Sequence, residues 1–325
     1  MSLTVSVLLR TYTEDRWDYL VDAMASLEKQ TQKADEIVIV VDHNDALMEK
    51  VKATFPDAVT VPSQVKGSAG AWNSGIRASS MDVIAFMDDD AAAKPDWIEK
   101  LMQHYANENV VGVGGTIEPN WLDGKPAWFP EEFQWVVGCT YRGMPEEVAP
   151  VRNLIGCNMS FRRDVLNKVN GFEQVKGLGH MGKLPVGGDE TEMCIRINQT
   201  IPNAIMLHEP AAHVHHKVPS SRGQRNYFYK RCYLEGRSKA VISRRVGAGD
   251  GTSTERDYVL KALPAGVARG IGDGFKGDLS GFDRAFSIIG GLGTTGVSYI
   301  VARVQQAFEK DDEIEDKPEK SADPA

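Results

Sequence analysis

The run EIVIVV, Glu36 to Val41, sets five consecutive apolar residues between charged neighbours. A strand with one wet face alternates apolar and polar. One that is apolar throughout must be covered on both faces, as in a parallel α/β sheet. Val83 to Met87 is a second such run, and Thr4 to Leu9 reads as a strand ahead of both. Helical patterns separate them: Trp17 to Lys29, with Leu20, Met24 and Leu27 in phase, then Ala46 to Thr54 and Gly70 to Ser79. A short strand at Val59 to Val61, a helix opened by Pro95 and reaching Tyr105, and a strand at Val110 to Ile117 continue the series. Proline suits the first turn of a helix. The order β-α-β-α predicts a doubly wound, mostly parallel α/β sheet, with ligands bound beyond the carboxyl ends of its strands.

The alternation breaks at Glu118. Residues 118–150 form an excursion carrying Trp121, Trp128, Phe129, Phe133 and Trp135, for which packing under a loop is expected and sugar stacking is the sharper alternative. Strands at Asn158 to Phe161 and Ala204 to Leu207, a helix near Val165 and one at Glu190 to Ile197 follow. Gln224 to Arg245 reads as one long basic, aromatic helix, suited either to an interface or to packing on the core. The chain therefore divides into an α/β domain (1–223), a C-terminal helical region (224–308) and a charged tail (309–325) expected to be disordered.

Several classes are excluded. A net charge of −8 argues against wholesale nucleic-acid binding. The four cysteines, Cys139, Cys157, Cys194 and Cys232, are widely spaced and form no C-x-x-C pair, so they read as buried free thiols rather than a zinc ribbon or disulfide frame. No G-x-G-x-x-G follows the first strand, which disfavours a nicotinamide dehydrogenase. The opening MSLTVSVLLRTY lacks a basic leader and runs directly into a strand. The most apolar stretch, Phe286 to Ala302, is Gly-rich and shorter than the run of about 20 residues that spans a bilayer. The expected location is cytoplasmic, with the C-terminal region resting on the inner face of the membrane. A packed subdomain or an oligomer contact is the competing reading.

The strand ends hold the chemistry. MDDDA, Met87 to Ala91, places three carboxylates where a buried strand stops. They repel one another unless a cation neutralises them, and oxygen ligands of this kind suit Mg²⁺ or Mn²⁺. Asp88 and Asp90, at i and i+2, point the same way on an extended segment. A solvated acidic turn is the plainer reading, which loses ground because other strand ends match. Strand one ends in TYTEDR, with Thr11 and Glu14, and strand two ends in Asp42. KGSAGAWNSG, with Lys66, Gly70 and Asn73, offers backbone amides at a helix start, where phosphate binds. A second acidic cluster, GGDETE, puts Asp189 and Glu190 at another helix start. It serves either as helix N-terminal charge or as a general base. His213, His215 and His216 lie downstream as metal-ligand candidates.

Taken in order, these segments resemble glycosyltransferase family 2, the inverting enzymes of the GT-A fold, over roughly Val5 to Gly236. The resemblance implies a metal-dependent transfer of a sugar from a nucleoside diphosphate sugar, UDP-linked by preference, to a hydroxyl. It places the nucleotide on Thr11, Glu14, Asp42, Lys66, Gly70, Asn73 and Asp88, and the metal on Asp88, Asp90 and His216. GCNMSFRR, Gly156 to Arg163, resembles the segment lining donor sugar and acceptor, giving Asn158 and Arg162 as sugar contacts. GDETEMCIR resembles the base motif. The family usually reads Glu-Asp where this chain has Asp189-Glu190, and the alignment makes Glu190 the base with Asp189 beside it. Trp72 stands where the family often has Arg. HHKVPSSR and YKRCYLEGRSKA resemble a subgroup acting on polyprenyl-phosphate-linked sugars, which implies a glycan or lipid-linked acceptor. A non-catalytic sugar-binding module and a nucleotidyltransferase remain as alternatives.

Overall fold

The structure, a computed structural model, describes residues 3–175, 178–181, 184–247 and 255–308. Its centre is a mixed sheet ordered β3-β2-β1-β4-β8-β6-β11-β5, with β7 (Ala149–Pro150) paired to β11. The parallel half is β3 (Val59–Pro62), β2 (Glu36–Val41), β1 (Val5–Thr11) and β4 (Val83–Asp88). Then β8 (Asn158–Arg162) runs antiparallel between β4 and β6 (Val110–Trp121). Finally β6 pairs in parallel with β11 (Ile205–Val218), whose outer neighbour is the short antiparallel β5 (Ala91–Ala93).

Both faces of the parallel half are covered, as its apolar runs require. Val5, Val7, Leu9, Ile39, Val41, Ala85 and Met87 face α1 (Trp17–Glu28), α2 (Asp45–Thr54) and α4 (Trp97–Met102). Leu8, Val38, Val40, Ile84 and Phe86 face α3 (Ser68–Ala78) and α6 (Asp189–Thr200), with α5 (Arg163–Lys168) beside them. Local signals start the helices: the Asn44 side chain accepts from Leu47 N at 3.1 Å and caps α2. Gly75 lets α3 sit on the sheet, since a Cβ there would come within 2.2 Å of Leu8.

Two strands are longer than the sequence pattern suggested. β6 continues through Glu118 to Trp121, and β11 carries HVHHKV on to Val218. Beyond it, α7 (Arg225–Val246) packs along α9 (Ser280–Phe308), while a π-helical turn at Tyr258–Ala262 leads into α8 (Leu263–Phe275). Phe228 of α7 meets Phe129 at 5.5 Å and Phe133 at 5.2 Å between ring centroids. The aromatic excursion is thus packing, and Phe228, Cys232, Leu263 and Ile288 share one core with β1 and β4. All four cysteines are buried and free. Phe286 to Ala302, judged short in sequence, lies inside the 29-residue α9, which is long and apolar enough to cross a membrane by length and composition. The tail expected to be disordered, residues 309–325, lies outside the described residues.

Candidate active site

The register brings the charged residues together. Arg10 of β1 is the direct parallel partner of Asp88 of β4, and Arg10 Nε lies 3.0 Å from Asp88 Oδ1. The same guanidinium lies 4.4 Å over the Trp72 ring and contacts the Ser68 hydroxyl at the start of α3. Arg16, in the turn before α1, bonds Asp89 Oδ1 at 2.9 Å and approaches Asp90 Oδ2 at 3.1 Å. Pairing of β5 with β11 sets Ala91 opposite His216. Lys217 N donates to Asp90 O at 2.9 Å, and His216 Nε2 comes to 3.3 Å from Asp90 Oδ1.

Three buried oxygens here lack a hydrogen-bond partner: Thr11 Oγ1, Asp89 Oδ2 and Asp90 Oδ1. Burial alone would keep Asp90 neutral, but His216 and Arg16 outweigh it and hold its pKa below the usual carboxylate range. Burial likewise disfavours charge on His216, yet the Asp90 carboxylate pushes it up to about 10. Burial, moderated by Arg16, lifts Asp89 to about 6. These residues fit a divalent cation. Asp90 Oδ1 is an unused hard ligand, and its 3.3 Å from His216 Nε2 is near the roughly 3 Å between adjacent ligands of an octahedral ion with bonds of about 2.1 Å. Among the described residues, no set of three His, Cys, Asp or Glu groups holds a metal by itself, so donor oxygens would complete the shell.

The second acidic cluster closes the other side. Gly187 and Gly188, at φ +79 and +95°, turn the chain into α6. Glu190 faces Gly156, where an added Cβ would lie 3.7 Å from Glu190 Oε1. Burial raises the Glu190 pKa, and Arg10 moderates the rise. Asp189 is pushed up to about 7 by burial and then by Glu190, again against Arg10. Arg10 therefore acts on Asp88, Asp189 and Glu190 at once. Glu192 belongs to packing instead, bonding Arg196 at 2.9 Å and Arg245 at 3.1 Å.

The remaining expected residues divide. Thr11 is buried at the strand end, and its carbonyl accepts from Asp42 N at 2.8 Å. Asp42 Oδ2 accepts from Gly67 N at 3.0 Å, which ties β2 to the loop before α3. Glu14 pairs with Lys50 of α2 at 3.4 Å on the outer surface, and Lys66 is exposed beside Gly67.

Four expected contacts are redirected. Gly70 is needed because a Cβ would come within 1.9 Å of Val65 O, so it serves loop packing rather than phosphate approach. The Asn73 amide is spent on Phe172, accepting from its N at 2.9 Å and donating to its O at 2.7 Å. Asn158 is fully buried: its Oδ1 accepts from Trp97 Nε1 at 2.8 Å while Nδ2 donates to Thr116 O at 3.0 Å and Ala212 O at 2.8 Å. Arg162 pairs with Val83, at the opposite end of β4 from Asp88, and donates to Val110 O at 2.9 Å and Tyr105 O at 2.7 Å. Both side chains are thus engaged by the protein itself. His213 and His215 flank Glu118 on the outer face, the latter at 3.5 Å.

Sequence reasoning missed Arg10 and Arg16. For Arg10 the available signal was that it is the one charged residue of the buried strand VSVLLRT. A cavity of about 300 Å³ lies elsewhere, between the excursion, α8 and α9, and its cations are matched by acids, among them Arg269 with Glu132 and Arg284 with Asp273.

A mixed sheet whose parallel half ends in acids, with a histidine and glycine turns beside them, is the arrangement of the GT-A fold. The solved structures it resembles agree on that fold. One is the mannosyltransferase PcManGT from Pyrobaculum calidifontis with GDP-Man and Mn²⁺ (TM-score 0.55, 15% identity, 91% of this chain and 87% of that chain). Another is GalNAc-T7 with UDP, GalNAc and Mn²⁺ (TM-score 0.52, 17% identity, 79% of this chain and 54% of that one). Residues 6–169 match the model of "Glycosyl transferase family 2". The chain is also 36% identical over 245 residues to glucosyl-dolichyl phosphate glucuronosyltransferase of Haloferax volcanii, covering 74% of this chain and 77% of that protein. The chain belongs to glycosyltransferase family 2. A non-catalytic module and a nucleotidyltransferase are thereby set aside.

Proposed function

We propose that the chain is a metal-dependent inverting glycosyltransferase that moves a sugar from a UDP-sugar to the hydroxyl of a polyprenyl-phosphate-linked glycan. The observation that carries it is the buried, unbonded Asp90 Oδ1 facing His216 Nε2. Asp90 and His216 would hold Mg²⁺ or Mn²⁺, with Asp88 beside them. Bound there, the ion supplies positive charge against the departing diphosphate.

The chain's own groups do the rest. Asp42 and Thr11 hold the nucleoside end between β1 and β2. Arg10, stacked on Trp72, meets the diphosphate and replaces the arginine that α3 lacks at that position. Glu190 takes the proton from the acceptor hydroxyl, whose oxygen bonds to the anomeric carbon. The bond from that carbon to the diphosphate breaks, and the nucleoside diphosphate leaves with the electron pair. Burial raises the Glu190 pKa, which makes its carboxylate a stronger base than a solvated glutamate.

The lipid-linked acceptor follows the name of the Haloferax relative. The exposed apolar side of α9, with Phe286, Ile289, Val297, Ile300 and Val304, is the face we assign to the bilayer at the cytoplasmic side.

Calorimetry with UDP, GDP, TDP and CDP, each with and without Mn²⁺, tests the donor and metal. Binding of UDP alone, and only with Mn²⁺, is expected and leads to transfer assays from UDP-sugars to polyprenyl-phosphate-sugar. Equal binding without metal would overturn the metal reading, and preference for GDP the donor.

A further inference from the structure

We propose that Cys139 is a positioning residue for the metal site, holding the His216 imidazole so that Nε2 faces Asp90. The proposal rests on the reading of Asp90 and His216 as metal-binding groups. His216 is buried between two partners: Nε2 is 3.3 Å from Asp90 Oδ1, and Nδ1 is 3.6 Å from Cys139 Sγ. The thiol also sits 3.8 Å from Val137 O, placed to donate to it. A thiol has one proton. Given to Val137 O, that proton leaves a sulfur lone pair toward His216, so Nδ1 is the donor of that contact. With an ion bound at Nε2, an imidazole that keeps its hydrogen on Nδ1 would offer that ion its Nε2 lone pair, and a partner on the far nitrogen is what fixes tautomer and ring angle at metal sites. The group Nε2 faces, Asp90 Oδ1, is buried and accepts no hydrogen bond.

The backbone explains how the thiol gets there. The 3₁₀ turn Glu131–Val137 ends at Gly138, whose φ of +80° is the left-handed conformation that glycine adopts without strain. Cys139 N then donates to Gln134 O at 3.1 Å, and Thr140 N to Ile117 O at 3.0 Å. The first ties Cys139 back to the 3₁₀ turn, and the second anchors the segment to β6. The aromatic excursion thus does more than pack, because the residue just after its 3₁₀ turn supplies the group that orients His216.

The test is Mn²⁺ binding followed by the electron-spin-resonance signal of the free ion, with and without UDP. The wild type is expected to bind. Cys139→Ala is expected to weaken Mn²⁺ by about 10-fold or more, the usual cost of losing a group behind a metal ligand. In a His216→Ala background, Cys139→Ala is expected to add nothing, whereas a merely structural thiol would cost the same in either background. Wild-type affinity in Cys139→Ala, or an additive loss on top of His216→Ala, overturns the proposal and leaves the metal reading standing. No Mn²⁺ binding by the wild type overturns both. Should the alanine variants not fold, imidazole ¹⁵N spectra of the wild type with Mg²⁺ decide: hydrogen on Nδ1 is expected, and hydrogen on Nε2 overturns the proposal.

Discussion

Arg10 and Asp88 are cross-strand neighbours, paired in register between β1 and β4 with Nε and Oδ1 3.0 Å apart. Side by side at the carboxyl ends of two parallel strands, they link the proposed donor half of the site to the proposed base half. Arg10 is the cation whose field reaches Asp88, Asp89 and Glu190 together.

Removing that cation should therefore injure both halves. Arg10→Ala is expected to lower kcat/KM by about 10²–10³-fold, a loss of roughly 3–4 kcal/mol of transition-state stabilisation. It should also move the acidic limb of the rate profile to higher pH, because Arg10 holds Glu190 and Asp189 down. Arg10→Lys keeps charge but neither the fork nor the stacking on Trp72, so partial activity is expected. An unshifted pH profile in Arg10→Ala would contradict the electrostatic link.

Asp189 and Glu190 give a second expectation, with opposite signs for activity and stability. The base works charged, so kcat should fall on the acid side, at a pH above the ordinary glutamate value near 4.3. Glu190→Gln should cost about 10²–10⁴-fold in kcat while UDP affinity changes little. Asp189 ionises near 3.9 in an unfolded chain and at about 7 when folded. Between those values the folded protein holds the extra proton, so its stability falls as pH rises. His216 adds a further decline between about 6.5 and 10, since its partner Asp90 raises its folded pKa. Urea unfolding of metal-free protein at pH 5 and pH 8 checks this. Asp189→Asn should flatten the lower slope, worth roughly 1–3 kcal/mol.

The line between what the sequence disclosed and what it hid follows from the kind of interaction. Asp88, Asp90, Asp42 and Glu190 were legible because strand and helix ends are written locally, in apolar runs that stop at charge. His216 could have been singled out from its two neighbours by period alone. Ala212, Val214, His216 and Val218 are the buried members of an alternating strand, while His213 and His215 face outward. The partners of Asn158, Asn73 and Arg162 were hidden because a polar side chain next to a glycine-rich or acidic segment does not reveal what it bonds. Theirs are backbone groups 42 to 99 residues away. Trp97 to Asn158 likewise needs the closed sheet before it exists.

Those redirected residues should therefore behave as scaffold. Asn158→Ala strands the Trp97 indole N–H and two carbonyls and should cost about 2–4 kcal/mol in urea unfolding. Arg162→Ala should cost about 1–2 kcal/mol and leave KM for the donor within about twofold. A selective rise in donor KM with unchanged stability would return Arg162 to the sugar pocket.

The exposed side of α9 yields the last expectation. α9 is about 43 Å long at 1.5 Å per residue, and its two sides differ. Gly281, Ala285, Ile288, Gly291, Ser298 and Ala302 are buried. The packing is close enough that a Cβ on Gly236 of α7 would fall 2.2 Å from Thr295 O. The opposite side exposes Phe286 at 69%, Val297 at 64% and Ile300 at 61%, within a stretch, Ala285 to Ala302, that carries no charge. An apolar strip of that extent is uncommon on a face that meets only water. A helix crossing the bilayer would have to leave α7, whose own sequence is rich in Arg and Lys. Keeping both contacts requires α9 to lie flat, with its outer side in the lipid boundary. Truncation before α9 would uncover α7 and confound the result, so substitution of the outer side is the cleaner test. Ile289→Glu with Ile300→Glu should abolish co-sedimentation with liposomes, since each buried charge opposes insertion, while UDP binding and thermal midpoint stay close to wild type. Co-sedimentation that persists in the double variant would show that the bilayer does not meet this side of α9.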